Sequence, residues 1–181
     1  MNLPSSISQV KNSALRPASV RVNRQLAAPP ERVFDAWLDG EAARSFLFGG
    51  RGGDAMTQID ARLGGGFRMV RRRDGEQVEY SGEYLEIERP YRLVFSLSVE
   101  KYAQRDDRVI VEIAPLAQHS LLVLTHEMSL SSPTERSRIQ GEWAVTLDAL
   151  VALCAAVGAR EAALRSVQPW NRARAGSGAD P

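Results

Sequence analysis

A run of short alternating segments, followed by one long amphipathic segment, constrains the fold of this chain most strongly. Between residues 56 and 126, apolar and polar residues alternate in successive segments that are separated by turn signals such as Asp74-Gly75. Alternation with a period of two is typical of β-strands that bury one face, and short turns between consecutive strands favour an antiparallel meander. Strand patterns do not alternate with helix patterns, which argues against a doubly wound parallel sheet.

The segment after the last strand has the period of an α-helix. It begins at Ser132-Pro133-Thr134-Glu135, and Glu142, Thr146 and Asp148 lie off its apolar stripe. Because the predicted sheet is the only large apolar surface available, we expect this stripe to pack on it. The stripe consists of Ile139, Trp143, Leu147, Leu150, Cys154 and Val157.

Before the meander, the pattern from Val20 to Leu26 predicts a first strand, which ends at Pro29-Pro30. Proline is favoured in the first turn of a helix, so a short helix is predicted there, and a second is predicted over 41–48. The order predicts an α+β helix-grip fold, a curved antiparallel sheet wrapped around a long C-terminal helix, with two short helices after the first strand. We expect the domain to span 18–158, with a disordered N-terminal tail over 1–17 and a loose C-terminal tail over 159–181.

Composition excludes several classes of function. Lys and Arg total 23 and Asp and Glu total 22, a net charge of +1 that does not favour a nucleic-acid partner. No uninterrupted apolar run approaches the roughly 18 residues of a membrane span, so no membrane partner is expected. The single cysteine, Cys154, excludes an internal disulfide and suits a cytoplasmic location. With only His119 and His126 beside it, no metal site and no cofactor are expected.

Several pieces of the sequence resemble the START-like (SRPBCC) superfamily, and most closely the bacterial relatives of the C-terminal domain of the heat-shock-protein ATPase activator. The resemblance covers roughly residues 19 to 157 and rests on the shared order of the pieces. They are Leu26-Ala27-Ala28-Pro29-Pro30-Glu31-Arg32-Val33-Phe34-Asp35-Ala36-Trp37, Gly64-Gly65-Gly66-Phe67, Tyr80-Ser81-Gly82-Glu83-Tyr84-Leu85-Glu86-Ile87, Arg92-Leu93-Val94-Phe95, Leu122-Val123-Leu124-Thr125-His126, and Trp143 with Leu147-Asp148 and Leu150.

The resemblance implies a fold that often holds a small apolar ligand between the sheet and the long helix. Some relatives are cyclases or dehydratases, the eukaryotic namesake stimulates a chaperone ATPase, and domains of this kind also form homodimers. The chain departs from many members in two places, with Phe46-Leu47-Phe48 where they carry a tryptophan and Glu142 where they carry a second glycine.

Three functions follow as hypotheses, and binding is preferred to catalysis. The first is binding of a small apolar, amphipathic or lipid-like molecule in a cavity between the sheet and the C-terminal helix. The second is a cyclase- or dehydratase-type enzyme in which His126, the one candidate catalytic residue, transfers a proton. The third is a protein-interaction module that regulates a chaperone. The predicted cavity residues are Trp37, Phe67, Met69, Tyr80, Tyr84, Phe95, Leu97, Leu124, His126, Trp143, Leu147 and Leu150.

Overall fold

The chain folds into one antiparallel sheet with three helices in the part that the structure, a computed structural model, describes. That part comprises residues 16–47, 56–73, 76–100, 107–117 and 119–174. The predicted α+β helix-grip architecture is confirmed. In chain order the elements are β1 (Arg16–Leu26), α1 (Pro30–Leu38), α2 (Gly40–Phe46), β2 (Met56–Ile59), β3 (Gly66–Arg73), β4 (Glu76–Glu88), β5 (Arg92–Val99), β6 (Asp107–Leu116), β7 (His119–Ser131) and α3 (Pro133–Arg174).

The sheet has seven strands in the order β1-β7-β6-β5-β4-β3-β2. Strands β2 to β7 form the predicted meander, and β1 pairs antiparallel with β7, so that Val22 lies opposite Leu124. The register of the β4–β5 pair shifts between Tyr84 and Glu86. A bulge of this kind bends a strand, which helps the sheet to curve around what it covers. The predicted Asp74-Gly75 turn lies between β3 and β4, outside the described residues.

The two short helices begin where local chemistry favours a helix start. Pro30 is the first residue of α1, a position where proline has the right φ and its missing N–H is not needed. Asp39 separates the helices, and its carboxylate accepts hydrogen bonds from the backbone N–H groups of Glu41 at 3.1 Å and Ala42 at 2.8 Å. This N-cap allows α2 to follow α1 at once with a change of direction.

Helix α3 begins with a reciprocal cap. The Ser132 hydroxyl accepts from the backbone N–H of Glu135 at 3.2 Å, and the Glu135 carboxylate accepts from the backbone N–H of Ser132 at 3.5 Å. This capping box satisfies donors that the first helical turn leaves unpaired. The predicted start at Ser132-Pro133 is therefore confirmed.

Two residues of α3 differ from their predicted environment. Thr146 is only 3% exposed, because it lies one turn from both Trp143 and Leu150 and therefore faces the sheet with them. Val157 is 38% exposed, since the buried part of the stripe ends at Cys154.

The long helix extends past residue 158, the predicted C-terminal end of the domain. Helix α3 continues to Arg174, whereas a loose tail was predicted from residue 159. Gly158 does not break the helix, and 159–166 consists mainly of Ala, Arg, Glu and Leu, which are strong helix formers. An ion pair of 2.7 Å between Arg32 of α1 and Glu161 holds this extension to the domain. At the other end, β1 begins at Arg16 inside the predicted tail 1–17, and residues 1–15 and 175–181 lie outside the described part.

The length and composition of α3 also meet the criteria for a membrane span. Within its segment 133–166, an 18-residue window has a mean hydropathy of 1.6, and 28% of that window is buried. This window was not found from the sequence, because an uninterrupted apolar run was sought there and the criteria for a span allow charged residues such as Asp148. The core helix of a globular domain meets the same criteria, and α3 packs its Trp143–Cys154 stripe into the core.

Candidate functional site

The helix-covered face of the sheet carries two groups of side chains that differ in chemistry. The first, here called the aromatic cluster, is formed by side chains of α1, α2, β3, β4 and β5. The second, here called the polar chain, is formed by side chains of α3, β6 and β7. The aromatic cluster consists of Trp37, Phe46, Phe67, Tyr84 and Phe95, and the polar chain consists of Asp107, His126 and Trp143.

Phe95 lies at the centre of the aromatic cluster. Its ring centroid is 5.4 Å from that of Phe67, 6.3 Å from that of Trp37 and 6.4 Å from that of Tyr84. Trp37 also packs edge-to-face on Phe46 at 5.2 Å. These separations and tilts are the favourable ones for aromatic pairs. Each of the five side chains is at most 7% exposed, so the cluster forms an apolar compartment with one indole and one phenol in it.

The β-sheet pairing positions one wall of this compartment. Phe67 lies directly opposite Gly82 in the β3–β4 register. Its ring lies over the glycine so closely that a Cβ atom there would come within 2.7 Å of Phe67 Cε1, and it would also collide with the backbone carbonyl of Ser96. The absence of a side chain at Gly82 therefore lets the Phe67 ring lie flat on the sheet.

The indole nitrogen of Trp37 is the chemically unusual atom of the aromatic cluster. Trp37 is 2% exposed, and within the described part of the chain its Nε1–H finds no hydrogen-bond partner. Ser131 Oγ, at the end of β7, is the other buried side-chain atom of this kind in that part. Leaving a buried donor unpaired costs about 1–3 kcal/mol, so such an atom requires an explanation.

The phenol of Tyr84 contributes a second polar group. Burial raises the pKa of Tyr84 well above its ordinary value, because the phenolate would lose its hydration. The side chain therefore stays neutral at physiological pH and can both donate and accept a hydrogen bond.

In the polar chain, by contrast, every ring nitrogen has a partner. Trp143 Nε1–H donates to His126 Nδ1 at 2.9 Å, and His126 Nε2 lies 3.1 Å from Asp107 Oδ2. Because Nδ1 accepts, the hydrogen of the neutral imidazole is on Nε2, which donates to the carboxylate. Asp107 Oδ1 also accepts a longer bond of 3.4 Å from the backbone N–H of Ser129. His126 is 4% exposed, and its contacts tie α3 to β6 and β7.

This arrangement determines what His126 can do chemically. A general acid or base must come within hydrogen-bond reach of the substrate proton. Both nitrogens of His126 are already used by Trp143 and Asp107, so a substrate would have to displace one of these partners. The geometry favours a role in holding the helix on the sheet.

Among the described residues, neither Cys154 nor a cluster of metal-ligating side chains adds a further reactive site. Burial raises the pKa of the Cys154 thiol, with the nearby Arg32 acting in the opposite direction, so the thiol stays protonated. Among the described residues, no three His, Cys, Asp or Glu side chains come together in a way that could hold a metal ion.

The structure divides the predicted cavity residues into groups. Four of them, Trp37, Phe67, Tyr84 and Phe95, belong to the aromatic cluster, and two, His126 and Trp143, belong to the polar chain. Five aliphatic and thioether residues of the set are buried in the general core, and Tyr80 is half-buried against that core. The five are Met69, Leu97, Leu124, Leu147 and Leu150.

Two residues of these groups were missed from the sequence. Phe46 was named as part of a departure from the family but not as a cavity residue, since a single short helix gives no indication of which strand it meets. Asp107 ends a polar segment, and nothing in the sequence pattern connects it with His126. One sequence departure, Phe46, thus falls in the aromatic cluster, whereas Glu142 is exposed and pairs with Arg138 at 2.7 Å.

A comparison with protein-family models matches residues 27–155 to the family described as activator of Hsp90 ATPase homolog 1-like protein. This match covers most of the chain and both groups of side chains. The chain belongs to that family. The START-like resemblance predicted from the sequence is thereby confirmed, and it includes the relatives of the ATPase activator.

Solved structures of similar fold add to this assignment. Protein CV1439 of Chromobacterium violaceum is 28% identical, with a TM-score of 0.68 over 76% of this chain and 98% of its own. PFC0360w of Plasmodium falciparum, an HSP90 activator, is 22% identical with a TM-score of 0.55, and the match covers 69% of this chain and 86% of that one. DynU16, from the dynemicin biosynthetic locus, is 17% identical with a TM-score of 0.62, over 74% of this chain and 46% of its own. At these identities the last two show the fold alone. No curated protein matches the sequence.

Proposed function

We propose that this protein binds a small apolar or amphipathic molecule at the aromatic cluster, between β3–β5 and the two short helices. The observation that carries the proposal is the buried Nε1–H of Trp37 that has no partner within the described residues. Small-molecule sites are mainly apolar and aromatic, with a few polar groups that fix the orientation of the ligand. The aromatic cluster has this composition, with the Trp37 indole and the Tyr84 phenol as its polar groups.

The region beneath α3 is a poorer candidate. Its side chains are largely aliphatic, and the polar chain satisfies its own donors and acceptors internally. A ligand that bound at the polar chain would have to break the bond between Trp143 and His126. The proposed site therefore lies nearer to α1 and α2 than to the long helix.

The family supports a binding function without naming a ligand. Its fold is consistent with a cavity on the helix-covered face of the sheet, and one neighbour, DynU16, comes from a locus for biosynthesis of a small molecule. A cytoplasmic location is part of the proposal, since the chain has a single cysteine, Cys154, which is buried and free.

Native mass spectrometry of the full chain, purified gently from its own host, tests the proposal. We expect a reproducible extra mass that is lost on denaturation. The variant Phe95→Leu, which removes the central ring of the aromatic cluster, should retain less of it. Ile139→Val, a conservative change on the buried face of α3, is the matched control and should retain it fully. A bare chain mass for the wild type, together with no binding of added apolar compounds, would contradict the proposal.

Regulation of a chaperone is the second candidate function. It is supported by the description of the family and by the Plasmodium neighbour named as an HSP90 activator. The outer side of α3 also exposes large apolar residues, Val145 and Leu164, each at 62%. An Hsp90 ATPase assay with and without the protein distinguishes the candidates, because only a regulator would change the turnover. An enzyme based on His126 has less support, since both of its ring nitrogens are engaged.

A further inference from the structure

The hydrogen-bonding character of Trp37 restricts what the aromatic cluster can bind. An indole nitrogen is a donor only, so a ligand that satisfies it must present an acceptor. The neighbouring ring of Phe46 packs edge-to-face with Trp37, and an aromatic π-face is at most a weak acceptor. A pure hydrocarbon would fill space in the aromatic cluster but would leave the buried N–H unpaired.

The charge distribution around the aromatic cluster restricts the ligand further. No Lys, Arg, Asp or Glu side chain is among the buried residues of the described part. The arginines seen at α1 have carboxylate partners: Arg89 pairs with Asp35 of the helix at 2.7 Å, and Arg32, on the helix itself, pairs with Glu161 at 2.7 Å. An ionised ligand group would therefore be buried without a counter-charge, which is far more costly than burying a neutral polar group.

We infer that the ligand is a neutral molecule that places a hydrogen-bond acceptor, such as a ketone, ester or ether oxygen, against Trp37 Nε1–H, with an apolar or aromatic body among the other four rings. This inference rests on the proposed binding function and adds the chemical class of the ligand. Trp37 is then the residue that distinguishes acceptor-bearing molecules from hydrocarbons of the same shape.

Three bicyclic probes of similar size test the inference: indane, 1-indanone and indane-1-carboxylate. The first lacks an acceptor, the second has a neutral one, and the third is an anion at neutral pH. Affinities are measured by calorimetry for the full-length wild type and for Trp37→Phe, which keeps an aromatic ring but removes the donor. Trp143→Phe is the matched control, because the N–H that it removes is already donated to His126.

The wild type should bind the ketone, and Trp37→Phe should weaken that binding by about fivefold, the value of one net hydrogen bond. The affinity for indane should change by less than about twofold in the same variant, and Trp143→Phe should leave the ratio of the two affinities unchanged. The carboxylate should bind at least about tenfold more weakly than the ketone.

A measurement on the wild type alone protects the test against a variant that does not fold. In ¹⁵N-labelled protein the indole N–H resonance of Trp37 should move downfield with 1-indanone and much less with indane. Equal responses to the two probes, or equal losses in Trp37→Phe, would overturn the inference and leave the binding function intact. Binding of the carboxylate as tightly as the ketone would also overturn it. Failure of all three probes to bind would overturn the proposed function and the inference together.

Discussion

The indole nitrogen of Trp143 donates a hydrogen bond of 2.9 Å to Nδ1 of His126, and this bond joins the long helix to the last strand of the sheet. It assigns the acceptor role to Nδ1, and the hydrogen on Nε2 then points to Asp107. A buried chain of this kind specifies how a helix lies on a sheet more narrowly than apolar contacts do, because each bond has a required distance and direction.

Replacing Trp143 with phenylalanine should destabilise the fold by about 1–3 kcal/mol, because His126 Nδ1 would remain buried without a donor. Urea unfolding monitored by circular dichroism measures the effect. Val145→Ala is the control, since this neighbouring side chain is 62% exposed, and it should change the free energy of unfolding by less than about 0.5 kcal/mol. Similar effects of the two substitutions would contradict the structural role of the polar chain.

Gly82→Ala should destabilise the protein by about 1–3 kcal/mol, because the new methyl group would meet the Phe67 ring and the Ser96 carbonyl. The midpoint of thermal unfolding measures this loss. The aromatic cluster should be disturbed as well, which near-ultraviolet circular dichroism would register.

Gly141→Ala is the matched substitution with the opposite expectation. Gly141 lies within α3, and an added Cβ atom there has nothing within 4 Å. Alanine should therefore stabilise the helix by about 0.5–1 kcal/mol through the lower entropy of the unfolded chain. Destabilisation at both glycines would mean that the contrast in their surroundings is incorrect.

The loss of folding stability at acid pH should depend on Arg89. Its guanidinium bonds both oxygens of Asp35, at 2.7 and 2.8 Å, and holds the pKa of that carboxyl below its ordinary value. A lowered pKa in the folded state gives stability that is present at neutral pH and is lost as pH falls from about 4 through the folded-state pKa. Arg89→Gln should reduce this acid-side loss.

Unfolding by urea at neutral pH and at about pH 2 gives the comparison. The difference should be small and salt-sensitive, because both partners are about half exposed, with side-chain values of 54% and 53%. Arg44→Gln, a change at an exposed position on α2, is the control. An unchanged acid-side loss in Arg89→Gln would show that this ion pair does not contribute.

The stability of the fold at alkaline pH should depend on Tyr84. Burial raises the pKa of its phenol above the ordinary 10.0, so the folded state holds a proton that the unfolded state releases more easily. The resulting loss of stability develops as pH rises beyond about 10. Tyr84→Phe should shift alkaline unfolding to higher pH, as followed by thermal melts at increasing pH. Tyr91→Phe, at an exposed position, should leave the alkaline unfolding curve where it is.

Sequence patterns predicted the helices, the strands and their order more accurately than the residues at which they end. The alternation in the meander and the capping signal at Ser132 predicted the order of strands and the start of α3, because both depend on neighbours along the chain. The extension of α3 to Arg174 was missed, since a loose tail was predicted from residue 159 although helix formers follow Gly158. The burial of Thr146 was missed because the residue was placed off the apolar stripe of α3 for its polar side chain. Its angular position on the helix was not considered.

The candidate site was predicted in part. Trp37, Phe67, Tyr84 and Phe95 were expected to line a cavity, and the structure brings them together in the aromatic cluster, while Phe46 and Asp107 were missed. A one-dimensional pattern indicates which face of a strand or helix a side chain occupies. It does not indicate which helix lies over which strand.

The fold class, the order of the elements and most of the side chains that face inward follow from the amino-acid sequence, because period, caps and turns are local properties. The tertiary structure places the Trp143 indole against His126, whereas the Trp37 indole N–H has no hydrogen-bond partner among the described residues. Hydrogen bonds require particular atoms at about 3 Å, and that separation depends on strand register and helix placement over the whole domain. The two tryptophans, alike in sequence as aromatic residues of amphipathic helices, therefore differ in chemistry: Trp143 holds the helix on the sheet, and Trp37 has a donor that no described residue accepts from.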